Sequence, residues 1–221
     1  MDLPVSLFPA SWHWIALALA LLMCRHLAGT APWKRLSSPT QLHLLLGFVV
    51  SLMLLWSLKA GVKPGLNLHL LGAMAATLCL GPRLAIVALG LALAGVTANG
   101  AIEWQAWPLN FLLMVVVPVV VARLWLHAVE RFLPAHFFVF IFVVAFIGSA
   151  VTVVVQGLVA AAGMVAGGAY SPGFLASDYL PYLLLLGFSE AWMGGAVITL
   201  MVVYRPDWVA AFDDRRYLLN K

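Results

Sequence analysis

Residues 136–165 read HFFVFIFVVAFIGSAVTVVVQGLVAAAGMV, thirty positions without a lysine, arginine, aspartate or glutamate. About 20 apolar residues in a helix cross the hydrocarbon core of a bilayer, so this run spans with length to spare. Tilt, or a kink near Gly148 or Gly157, is expected to absorb the excess. The rest of the chain has the same character: of its 221 residues 64% are hydrophobic and only 9% charged. That is too apolar for a soluble domain and too evenly apolar for one anchor, which makes this a polytopic membrane protein. Two-residue alternation is too weak for a barrel, and a backbone in hydrocarbon must satisfy its own hydrogen bonds, so the expected fold class is all-α.

Working outward from that run, seven helices are predicted, near 12–26, 41–58, 66–80, 83–97, 108–127, 136–165 and 179–204. They form a single membrane domain over 1–221 with a cytoplasmic tail at 205–221. Turn chemistry supplies the breaks, in GTAPWKRLSSPT, KAGVKPG, GPR, ANGAIEWQAW, ERFLPA and GGAYSPGF. The first apolar run has no basic residue before it, and Arg25, Lys34 and Arg35 follow it, which predicts a retained helix rather than a signal peptide. With the N-terminus outside, ten basic residues (Arg25, Lys34, Arg35, Arg83, Arg123, Arg131, Arg205, Arg215, Arg216, Lys221) fall on the cytoplasmic side and two, Lys59 and Lys63, outside. The positive-inside rule therefore selects this orientation, and the net charge of +4 reflects topology, with no call for a nucleic-acid partner. Cys24 and Cys79 lie in apolar runs without paired spacing and are read as packing residues.

Polar residues inside the spans are the candidates for function. His69, if helical, shares a face with Gly72, Ala73 and Ala76, the small-residue stripe that packs against other helices. Such a histidine needs a partner: a carbonyl, as in a satisfied core histidine, a metal or water. Asn67 lies about 200° away on the wheel and is read as an N-cap or as part of an unwound entry. Asn110 opens the fifth helix and either caps it or lines a pocket. Glu190, flanked by Gly187 and Gly194, is either a buried structural acid, hydrogen-bonded as COOH, or a relay or deeper ion site. Counted from Tyr179 it lies about 16 Å below the outer surface, whereas His69 is expected within a turn of it, too far apart to ligate one ion. His13 is read as interfacial. No HExxH, GxSxG, P-loop or GxGxxG string occurs, so enzyme readings lack their minimum parts, and ATP-derived energy must come from a partner chain.

The order of these features resembles the CbiM/NikM family: an N-terminal MDLP, a third helix around HLLGA (69–73), a GP turn at 81–82, LNFLLM at 109–114 and a late glutamate in SEAW. YLPYLLLL and the terminal VVYRPDWVAAFDDRRYL resemble a divergent bacterial branch of predicted energy-coupling-factor permeases. The resemblance implies a seven-helix substrate-binding (S) component of an energy-coupling-factor (ECF) ABC transporter for cobalt or nickel in the bacterial inner membrane. Its implied partners are a coupling (T) subunit, cytoplasmic ATPases and membrane lipid. It carries the metal as transported substrate, without a tightly bound cofactor. In that family the N-terminus threads into the outer pocket, and the resemblance assigns Met1, Asp2 and His69 to the ion; Asn67, Asn110 and Glu190, the last matching the family's late glutamate, are candidate pocket residues around it. The family reads Met-His-Ile where this chain reads Met-Asp-Leu. Carboxylate for imidazole changes an all-nitrogen set suited to square-planar Ni(II) into a mixed nitrogen and oxygen set that suits less demanding divalent ions.

Three functions are weighed on this basis. They are a metal-capturing transport subunit, a membrane assembly protein that keeps the scaffold without the site, and an intramembrane enzyme using Ser189, Glu190 or His69. The predicted depth difference between those groups counts against the third.

Overall fold

A computed structural model describes residues 3–61 and 63–219 of the chain. Helices α1 (Ala10–Thr30), α2 (Pro39–Ser57), α5 (Trp104–Phe132), α6 (Val139–Ala166) and α8 (Leu180–Tyr204) are, among the described residues, long and apolar enough to cross a membrane. Between them lie α3 (Ala73–Leu80), α4 (Pro82–Ala98) and a short α7 (Pro172–Asp178). Proline opens several helices because the first turn needs no donor: Pro39 in α2, Pro82 in α4 and Pro172 in α7. The outer faces carry Trp14, Leu21, Leu54, Leu184 and Phe188, all largely exposed. A soluble protein seldom shows apolar surface on this scale, and lipid is its natural solvent. The protein is thus an all-helical membrane protein.

Two long helices contain wide, π-type turns, at Phe111–Val116 in α5 and Val139–Ile147 in α6. In α5 they run up to Pro118, which has no N–H to offer Met114 and so loosens the turns before it. In α6 the wide turns lie before Gly148, whose own backbone is ordinary right-handed, φ −59°. Gly148 and Gly157 serve packing. A Cβ at Gly148 would meet Trp125 at 2.8 Å and Met74 at 2.9 Å, and one at Gly157 would meet Leu183 at 2.6 Å. Cys79 is buried as expected, whereas Cys24 faces outward from α1.

The third helix departs most from expectation. Helix 66–80 was predicted, but only Ala73–Leu80 is helical, and residues 66–72 are extended or irregular chain. Gly72, in the left-handed region at φ 69°, ends the irregular run, and a Cβ there would meet Leu52 at 2.6 Å. All eight residues of α3 are buried, in contact with α4, α5, α6 and α8. A half-helix has orphan backbone groups at both ends, and these need partners wherever the surrounding protein keeps water away.

Remote parts of the chain supply the partners. At the start, both carboxylate oxygens of Glu190 in α8 accept hydrogen bonds, from Leu71 N–H at 2.7 Å and from Gly72 N–H at 2.6 Å. At the end, the N–H groups of Ala211 and Ala210 in the C-terminal tail donate to Leu78 O (3.0 Å) and Cys79 O (3.3 Å). Arg35 Nη1 donates to Leu80 O at 3.1 Å. An acid at the amino end and a guanidinium at the carboxyl end both have the sign the helix dipole favours.

Candidate functional site

The segment between α2 and α3 begins as a short hairpin. Ala60 and Leu68 exchange two backbone hydrogen bonds, Ala60 N–H to Leu68 O at 3.0 Å and Leu68 N–H to Ala60 O at 2.7 Å. Asn67 lies in this hairpin, so close to Gly61 that any side chain at 61 would run into it. The residue at the N-cap of α3 is Gly72, so of the two readings of Asn67 the unwound entry describes where it sits.

His69 is buried in the extended stretch that follows, at 7% exposure. The helical wheel that put it on a face with Gly72, Ala73 and Ala76 does not apply, because the chain there is not helical. Its ring packs on Trp56, with centroids 5.7 Å apart, and Trp56 in turn donates from Nε1 to Leu71 O at 3.3 Å. Nδ1 of His69 lies 3.1 Å from Leu70 O. In the tautomer that donates this bond, Nε2 carries the ring's lone pair. Trp56, Lys59, Val96, Ile102 and Met114 join His69 around a void of 10 Å³.

The extended chain also corrects the depth estimate that separated His69 from Glu190. From Leu66 to Leu71, five residues at about 3.3 Å each cover about 16 Å, the depth reckoned for Glu190 on its helix. The carboxylate holds the amides two and three residues beyond His69. It touches the backbone of the His69 segment, and its other side borders a mostly apolar cavity of 660 Å³ between α2 and α8.

A second extended segment comes from the N-terminus. Asn110, fully buried at the start of α5, accepts from Leu3 N–H at Oδ1 (2.9 Å) and donates from Nδ2 to Leu3 O (2.9 Å). The same Nδ2 donates to Ala106 O at 3.0 Å, so Asn110 serves its own helix as well as the strap. Two further anchors escaped the sequence reading: Glu103 Oε2 accepts from Val5 N–H at 3.1 Å, and His13 Nε2 lies 3.2 Å from Val5 O. Glu103 left no periodic or motif signal, while nearness in sequence was the only hint for His13. Leu3 and Leu7 pack over Gly65, so close that a Cβ there would meet Leu7 at 2.5 Å and Leu3 at 3.2 Å. The strap therefore lies on the loop that leads into the His69 segment. Residues 2–208 match the family model CbiM, described as the cobalt uptake substrate-specific transmembrane region.

The chain belongs to the CbiM family. No match was found among curated proteins or among solved structures. As a CbiM-family protein it is a membrane component of cobalt uptake, and the strap and the His69 segment are non-helical intrusions into its helical bundle. Met1 and Asp2, two of the three residues assigned to the ion, lie outside the described residues. Among the described residues no group of three or more His, Cys, Asp or Glu side chains is arranged to hold a metal. His69 is the assigned ligand the structure describes; Asn110 and Glu190 hold backbone on either side of it.

Proposed function

We propose that this CbiM-family chain is the substrate-binding S component of an ECF transporter and that it captures a divalent transition-metal ion, cobalt or nickel in kind. The terminal amine of Met1, the carboxylate of Asp2 and the imidazole of His69 hold the ion. The observation that carries this reading is the two-way hydrogen bond between Asn110 and Leu3, which holds the chain next to Met1 and Asp2 at a fixed place beside the His69 loop. The chain performs no chemistry of its own and holds no resident cofactor. It works in the bacterial inner membrane with a T subunit and cytoplasmic ATPases.

Seven crossings with the N-terminus outside fit the same reading. Five long helices and the 17-residue α4 account for six. Residues 66–72, at up to about 3.3 Å each, followed by eight helical residues at about 1.5 Å each, reach at most about 35 Å, enough for the remaining one. Irregular backbone at membrane depth is tolerated where protein surrounds it, and Leu66, His69 and Leu71 are buried.

Metal analysis of the purified chain loaded with Co(II) or Ni(II) tests the proposal. Wild type should retain one ion per chain, and Asp2→Ala and His69→Ala should each lose it. Stoichiometric metal in both variants would overturn the ligand set. Asp2, where the family has histidine, favours a second reading, a scaffold that has lost the site. Wild type devoid of metal but copurifying with a stable complex lacking ATPase subunits would support it.

A further inference from the structure

At the opposite end of α3 from Glu190 lies a polar cavity of 670 Å³. Its rim is built from Arg35, the Gly81-Pro82-Arg83 turn, Arg123 and Glu130 of α5, and Asp213 and Arg216 of the tail. Most of these charges are engaged. Arg35 donates to Leu80 O and to Gln41 Oε1 (2.9 Å), Arg216 pairs with Glu130 at 2.8 Å, and the Asp213 carboxylate accepts from Arg215 N–H at 2.9 Å. Arg83 and Arg123 are the exceptions. Both are exposed, and neither side chain makes a hydrogen bond or ion pair among the described residues.

We propose that Arg83 and Arg123 form a binding site for a phosphate group, supplied by the headgroup of an anionic phospholipid. Guanidinium groups bind phosphate through paired N–H donors, and basic pockets between membrane helices hold acidic headgroups. The first turn of α4, Pro82 to Leu84, lines the same cavity and adds the positive end of a 17-residue helix. Four arginines, Arg35, Arg83, Arg123 and Arg216, against two carboxylates, Glu130 and Asp213, leave the cavity electropositive. The lipid source follows from the neighbouring surface. Val120, one turn before Arg123 on the same face of α5, and Leu124, next to Arg123, are 46% and 62% exposed, apolar surface beside the guanidinium on which acyl chains can lie.

The test uses the purified full chain in detergent, titrated with short-chain phosphatidylglycerol, with phosphatidylcholine of the same chain length and with glycerol phosphate, read by native mass spectrometry. Phosphatidylglycerol should bind more tightly than either comparison, and Arg83→Gln and Arg123→Gln should each weaken it about five-fold. Arg25→Gln, outside the cavity, should leave it unchanged. Arg83→Lys and Arg123→Lys, which keep the charge and serve if the glutamine variants fail to fold, should retain part of the binding. Equal binding of phosphatidylglycerol by wild type and the double glutamine variant would overturn the site. Glycerol phosphate binding as tightly as phosphatidylglycerol would overturn the lipid source.

Discussion

The N-terminal strap and the segment before α3 solve one problem in two ways. Each is extended chain inside a helical membrane protein, and each relies on one buried side chain from a distant helix. Asn110 meets Leu3 with an acceptor and a donor, because an extended residue in the middle of a chain presents both an N–H and a C=O. Glu190 meets Leu71 and Gly72 with two acceptors, because the groups that face it at the start of α3 are two N–H donors, the Leu71 C=O being taken by Trp56. The chemistry of the orphan groups therefore chose the side chain: a neutral amide for the strap, a carboxylate for the half-helix. Glu190 anchors the chain just beyond His69, Asn110 the strap that lies on the loop before it, and neither is itself a ligand in the proposed site.

That contrast can be broken by substitution. Glu190→Ala should have the largest effect, because two short hydrogen bonds vanish and a buried and a part-buried amide lose their partners. A loss of about 3–5 kcal/mol is expected, read as a fall in the thermal unfolding midpoint in detergent. Glu190→Gln should cost less and be informative, since its amide keeps one acceptor but turns a donor toward the second N–H. Asn110→Ala follows at about 2–4 kcal/mol, and Asn110→Asp should recover only the Leu3 N–H bond, landing between alanine and wild type. Glu103→Ala, removing an exposed anchor, should change stability by less than about 1 kcal/mol. If Glu103→Ala proved as damaging as Asn110→Ala, burial would not be what sets the strap's strength.

The sequence disclosed the bundle because membranes allow few alternatives: apolar runs such as 136–165 must be helical, and prolines and glycines mark where they stop. It misplaced α3 because hydropathy does not distinguish helix from buried extended chain, and the carboxylate that makes the extended form stable is 119 residues away from Leu71. The Asn110 to Leu3 pair, 107 residues apart, is equally silent in local pattern, although the expense of Asn110 and Glu190 in apolar surroundings did single them out. Glu103 and His13 were missed because charged and aromatic residues near membrane interfaces are common and carry no signal of a specific backbone partner. His69 was found for its polarity, but its surroundings, Trp56 in place of a small-residue stripe, became visible only once the chain was seen to be unwound.

The central claim is that the strap held by Asn110 delivers metal ligands to His69. Calorimetric titration of Co(II) into folded wild type and Asn110→Ala tests it most directly. Asn110 is given no bond to the ion, yet its loss should weaken binding roughly 10- to 100-fold, the scale typical of groups that orient metal ligands. Unchanged affinity in a folded Asn110→Ala protein would contradict the account.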